Sequence, residues 1–558
     1  MVSAVQSRSI GLFFILCLMA FNFVVVGKYA AYPWWHQHDC DSDPLYVAQA
    51  LTIVNDGPFD YIHHPGAVVS SGHGFAYRLA SVIAGWHPEY LNLQSSAQNL
   101  SEWDILEETT RLSRRLSFGV FGLFVATFYV FVLWLTRNGV VTFLVAFFVA
   151  SSQVAIWHSR AIRPEIPSLL FSLLAMWVAL ALGRSLARGN ERGFALGSVA
   201  VGFLLAFAML SKIQILPVAA AVLLLGFWFV VSKGEWTTRN AQGRRLRVYL
   251  FVGLAVAAIT PWWALVKPDF LTESYLASVG YFDRLVYGSA AKTFVPLVAG
   301  VLAVSLAGSV AAILLNRRWN RSRGVDRLGR AAGFLHLVAL GAILGIYAVL
   351  APVSRTLASY TENTHHLVYG MLANTLGNVF GSGFLQHKAV DGHTVTRILE
   401  AHALGDRLLG INVAWLILLM AAVVIVRLAS PKTVGRGEYW LVLLVLMIGV
   451  VMDVVFTFRW IAQFNYYAMF SLVYYGIGMA IFLTLEDQNL WVERGWFRVS
   501  YGVAILLVAL LLSQVGYRTF EIATGPRATG TSEQSPDQMI EASKAQNPHY
   551  WHLFEESP

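Results

Sequence analysis

Runs of about twenty apolar residues recur along nearly the whole chain, and they constrain it more than any motif does. They fall near 10–30, 115–136, 139–157, 165–183, 193–210, 213–232, 248–266, 293–315, 332–352, 408–428, 439–457, 461–484 and 500–516. A helix rises about 1.5 Å per residue, so each run matches the ~30 Å hydrocarbon core of a bilayer. Inside that core, backbone N–H and C=O groups find no water and must pair within their own segment. Composition agrees, with 57% of the 558 residues hydrophobic and 13% charged. That is about half the charge of a soluble domain. The pattern predicts an all-α integral membrane protein with about thirteen transmembrane helices over residues 1–520 and a short flexible tail over 521–558.

The runs near 193–210 and 213–232 are separated by Ser211-Lys212 and together hold about forty residues, enough for two spans. The first run is followed by bulky Tyr32-Pro33-Trp34-Trp35 with no small-residue cleavage site, which argues for a retained helix. Cys17 lies within that run and Cys40 beyond it, so no disulfide is expected.

Charge sets the orientation. Arg184/Arg188/Arg192, Lys233/Arg239/Arg244/Arg245/Arg247, Arg317/Arg318/Arg321/Arg323/Arg327/Arg330 and Arg427/Lys432/Arg436 occupy alternate loops. By the positive-inside rule that side is the cytoplasm, and the N-terminus lies there too. The opposite face receives long loops near 31–114, 267–292 and 353–407. The formal charge of +8 is thereby explained by topology, and no basic stripe with interleaved aromatics suggests nucleic acid. The short N-terminus and the absence of a retrieval signal favour a prokaryotic plasma membrane over the endoplasmic reticulum.

The first outer loop carries the chemistry. Asp39, Asp41 and Asp43 alternate within five residues, which places them on one side of an extended segment. Three such carboxylates can hold a hard divalent cation, Mg or Mn, through oxygen ligands. They can also supply a general base. The plainer reading is a solvated linker in which Asp43 caps a helix with Pro44 at its first position. Capping accounts for Asp43 in part and leaves Asp39 and Asp41 unexplained. From Leu45 to Val54 apolar residues recur at helical spacing, as in an amphipathic helix lying in the interface and stopping at Gly57. His63-His64-Pro65-Gly66 follows, then a second weakly amphipathic stretch to about Trp86.

One helix, an outer acidic loop with interfacial helices and a His-Pro-Gly turn resemble the GT-C superfamily of membrane glycosyltransferases. Within it the chain looks most like the protein-O-mannosyltransferase and aminoarabinose-transferase branch, glycosyltransferase family 39. Asp41-Ser42-Asp43-Pro44-Leu45-Tyr46 resembles that branch's acidic-pair-then-Tyr motif, and His64-Pro65-Gly66 its turn. His158-Ser159-Arg160-Ala161-Ile162-Arg163-Pro164-Glu165 resembles the motif at the outer start of its fourth helix. The likeness is clearest over about 1–230. The chain departs from the pattern in its Asp-x-Asp pair, in Gly66 where a second Pro is common, and in ending on a short tail.

The resemblance implies inverting transfer of a hexose or pentose from a polyprenyl-phosphate donor to a glycan, lipid or protein acceptor outside the cytoplasm. It implies Asp41, or else Asp43, as base. Arg163, Lys212 and Arg459 become the donor phosphate-binding cations, and Tyr46, His64 and Glu165 substrate contacts. The family includes metal-using and metal-free members, so a divalent cation on Asp39, Asp41 and Asp43 stays open. Plainer readings stand beside these. Lys212 has no acidic neighbour in sequence and can snorkel to the interface. Arg160, Arg163 and Glu165 can form an interfacial ion pair, and Phe464-Asn465-Tyr466-Tyr467 an aromatic belt. The third-loop histidines, His365, His366, His387, His393 and His402, match no compact zinc spacing. The main rival is a transporter or flippase of a lipid-linked saccharide, for which Asp453 and Pro217 are the few mid-span features.

Overall fold

The computed structural model describes residues 43–57, 66–93, 102–187, 190–232, 323–361, 413–430, 436–459 and 464–493, with Ala20, Asn363, Thr364 and Leu367. Among these residues there are helices and no strands. In chain order they are α1 (Asp43–Val54), α2 (Ala67–Ala84), a 3-10 turn (Pro88–Leu91), α3 (Glu102–Thr136), α4 (Gly139–Ser151) and α5 (Gln153–Arg160). Next come α6 (Glu165–Ala187), α7 (Glu191–Ser211), a second 3-10 turn (Ile213–Ile215) and α8 (Leu216–Ser232). The last are α9 (Arg323–Leu350), α10 (Val413–Ala429), α11 (Arg436–Arg459) and α12 (Phe464–Glu493).

Five helices among the described residues are long and apolar enough to cross a membrane: Asp104–Thr136, Glu165–Gly183, Arg192–Ser211, Gly333–Leu350 and Ala468–Glu486. The runs expected near 248–266, 293–315 and 500–516, and that near 10–30 apart from Ala20, lie outside the described residues.

Four expectations are corrected. The run near 139–157 is two helices, not one. Ser152 takes an extended conformation and its Oγ accepts from Ala155 N–H at 3.2 Å, which starts α5 afresh. Pro217 stands in the first turn of α8, not in mid-span, a position where its missing N–H costs nothing. The helix after the acidic loop is not half-exposed. Leu45 to Val54 are all buried, roofed by α2, α3, the first 3-10 turn and apolar residues from Ile346 to Val353. Its stop is built one residue earlier than expected. Asp56 takes the left-handed conformation (φ 60°), and Gly57 N–H closes back on Thr52 O at 2.8 Å.

The bundle is set by close helix contacts. Ser168 Oγ donates to Ala208 O at 2.9 Å, so α6 and α7 run antiparallel with the start of one beside the end of the other. The pair α7–α9 crosses backbone to backbone. A Cβ at Gly202 would strike Val338 O, and one at Gly341 would strike Val199 O. Gly345, four residues on, meets Ala206 and Phe203 O. Rising numbers match along both helices, so they are parallel, joined by a small-residue stripe of the kind that lets helices approach in lipid. At the opposite end of the bundle from the acidic loop, Glu486 of α12 accepts from Arg427 Nε (3.0 Å) and NH2 (2.7 Å) and from Tyr439 OH (2.6 Å).

Candidate active site

The start of α1, the middle of α2 and α3, the α5–α6 turn and the end of α7 meet at one end of the bundle. The turn exists because the chain leaves α5 through an extended Ala161 and Pro164 disfavours helix at Arg163, so α5 and α6 stay separate. Glu165 then opens α6, where a carboxylate suits the positive end of the helix dipole.

Asp43 is buried and both its oxygens are engaged. Oδ2 accepts from Arg114 Nε at 2.6 Å, and Oδ1 accepts from Ile162 N–H at 2.9 Å. The capping role expected for it gives way to a clamp between three elements. The contact exists because α3 begins at Glu102, more than three turns before its apolar run near 115. Thr110, Ser113, Arg114 and Ser117 thereby line one helical face.

Lys212 is 1% exposed, so it does not snorkel. The acidic neighbour missing from its sequence surroundings is Glu165, whose Oε1 lies 3.1 Å from Lys212 Nζ. His158 Nδ1 stands 3.9 Å from Glu165 Oε2. Arg163 is also buried, and its charge reaches Glu165. The partners of Glu165 are therefore Lys212 and His158 ahead of the sequence-adjacent arginine. Two cations and one carboxylate taken out of water together stay charged because they compensate one another.

His73 of α2 faces the Asp43 clamp. Its Nε2 lies 3.4 Å from Ser117 Oγ, and its buried Nδ1 has no hydrogen-bond partner. Burial pulls its pKa down to about 4, while the charge of Asp43 pulls the other way. The imidazole is neutral at physiological pH.

Of the expected site residues, Asp43, Arg163, Glu165 and Lys212 gather around this turn. Tyr46 is buried in α1 one turn after Asp43. Arg459 is the last residue of α11. Asp39, Asp41 and His64 lie outside the described residues. Sequence reasoning missed Arg114, His73 and His158 as site groups. The polar stripe at 110, 113, 114 and 117 was the signal for the first.

The described residues contain no cluster of three or more His, Cys, Asp or Glu side chains fit for a metal ion. The clamp makes Asp43 a poor cation ligand, since a guanidinium already neutralises its charge.

Alongside the five described helices long and apolar enough to cross a membrane, the chain carries one domain that matches a known family. That domain is the stretch 94–273, which matches the family model described as dolichyl-phosphate-mannose-protein mannosyltransferase, a GT-C family. No curated protein and no solved structure matches the chain. The matched stretch contains Arg114, His158, Arg163, Glu165 and Lys212, while the acidic loop and Arg459 fall outside it.

Proposed function

We propose that the protein transfers a sugar, with mannose the first candidate, from a polyprenyl-phosphate donor to an acceptor on the non-cytoplasmic side of the membrane. The observation that carries this reading is the buried Lys212–Glu165 pair beside Arg163, inside the matched stretch and against the turn that holds Asp43. A phosphate leaving group needs no strong acid. It needs cations where its charge grows, and a site shielded from water makes each of them count for more. Lys212 and Arg163 fill that role, with Arg459 as a further candidate cation.

The acceptor hydroxyl oxygen attacks the anomeric carbon as the bond to the phosphate oxygen breaks. The configuration inverts, the proton passes to a carboxylate, and the electron pair leaves on polyprenyl phosphate. Asp41 is the base in this reading. Asp43 has both oxygens engaged, by Arg114 and by Ile162 N–H, and so is less free to meet an acceptor hydroxyl. Its part is to anchor the segment that presents Asp41. A divalent cation on Asp39 and Asp41 would sharpen the phosphate subsite. The acceptor is a protein by analogy with the matched family, with a glycan or lipid as the alternatives.

The test offers purified protein a panel of polyprenyl-phosphate sugars with a membrane extract as acceptor, with and without chelator. Transfer from one donor is expected, and its loss with chelator would add the cation. Translocation of an intact lipid-linked saccharide without any sugar transfer would replace this reading with a flippase.

A further inference from the structure

Two buried acceptor oxygens near Lys212 have no donor. Glu165 gives Oε1 to Lys212, but its Oε2 has no hydrogen bond, with His158 Nδ1 beyond bonding length at 3.9 Å. Gln214 lies two residues after Lys212, in the 3-10 turn that packs on α6. Its side chain is buried, 6% exposed, and its Oε1 is likewise without a partner. Buried polar atoms are nearly always satisfied, so an unmet acceptor on the turn and another on the helix it packs against each call for a donor.

The sign of the deficit identifies the ligand chemistry. Amide and carboxylate oxygens repel a phosphate, whose oxygens are acceptors too. They suit hydroxyl groups, which donate. The cations of the cluster serve the phosphate, and the open oxygens serve whatever hydroxyl-bearing group is joined to it. We propose that the turn at Gln214, with Glu165, forms a hydroxyl-reading subsite in which Gln214 Oε1 and Glu165 Oε2 accept hydrogen bonds from the sugar of the lipid-linked donor. The proposal rests on the transferase reading and adds to it a specificity determinant, Gln214, on the α7–α8 break. The break matters because a continuous helix would bond its own backbone through Gln214 and carry that side chain at a different angle. With Lys212 extended (φ −153°, ψ 114°), the turn is free to present its side chains beside α6.

The test uses the full chain. Transfer rates are measured with the preferred polyprenyl-phosphate sugar and with its singly deoxygenated analogues, for wild type, Gln214→Met and Gln214→Glu. Met keeps the volume and removes the acceptor, whereas Glu keeps an acceptor. A lost hydrogen bond in the transition state corresponds to roughly tenfold in kcat/KM. Gln214→Met should lose about that factor with the complete sugar and nothing with one particular deoxy analogue, the one lacking the hydroxyl that Gln214 reads. Gln214→Glu should retain discrimination against that analogue. Equal loss on every analogue, or no loss on any, would overturn the subsite and leave a water molecule or a folding role for Gln214. Silence of folded wild type with every donor would overturn the transferase reading as well, so the two failures are distinguishable.

Discussion

Asp43 and Arg114 show how a residue's partner decides its role. Their side chains are 7% and 16% exposed, so neither is solvated enough to lose the other cheaply. Removing one partner leaves a buried charge, and Arg114→Met should lower stability by about 3 kcal/mol. The double variant Asp43→Asn/Arg114→Met should cost less than the two single changes added together, a coupling that thermal unfolding in detergent would read. His73 makes a second prediction. Its folded pKa of about 4 lies below the ordinary 6.5. Between those values the unfolded chain binds more protons than the folded one, so stability rises with pH across the window. It is complete above about 6.5 and is lost as pH falls toward 4, by an amount on the order of 3 kcal/mol. His73→Gln should flatten that acid limb, and an unchanged limb would show that His73 is not its source. Arg114 and His73 were not legible as site groups beforehand, whereas Asp43 was, as the second candidate for the base. Asp43 reads as a helix cap because Pro44 follows it, and its true partners lie 71 and 119 residues away. The cation side was easier to see, because Lys212 and Arg163 are charges at the ends of apolar runs.

At the scale of elements, the small-residue crossing of α7 and α9 fixes where Lys212 stands. Gly202→Ala would push a methyl into the α9 backbone, and overpacking of this kind costs about 1–3 kcal/mol or more. Gly119 of α3 has open space around it, so Gly119→Ala should be neutral or stabilising by up to about 1 kcal/mol. Thermal midpoints of the two variants make the comparison, and equal midpoints would refute the crossing. The helices themselves were legible from apolar runs, and α6 to α8 fall close to their expected bounds. The break at Ser152 was hidden, because the residues on both sides are apolar enough to read as one span. The burial of α1 was hidden too. Its sequence shows a helix, but only its neighbours decide whether one face or all faces are covered. The spacing Gly341–Gly345 was visible in the sequence, but its partner helix lies more than a hundred residues upstream and no local pattern names it.

Across the whole molecule, contacts join loops assigned to one side from charge alone. Arg355 N–H donates to Asp56 Oδ1 at 2.9 Å, and Asn363 Nδ2 to Gly57 O at 3.1 Å, which tie the chain after α9 to the first loop. The helices α7 and α9 run parallel, and both begin near clusters of arginine. In a chain cleared of Cys17 and Cys40, a cysteine at the exposed Leu357 should react with a membrane-impermeant thiol reagent from outside the cell. One at Arg137, between α3 and α4, should react from the cytoplasmic side. Reversed labelling would invert the topology.

In the proposed reaction the membrane bundle transfers a sugar and the base stands in the acidic loop. Single-turnover transfer from the preferred polyprenyl-phosphate sugar, compared between wild type and Asp41→Asn, tests it most directly. Wild type should transfer the sugar, and the variant should lose about a hundredfold or more in rate with donor binding intact. Full activity of Asp41→Asn would contradict it.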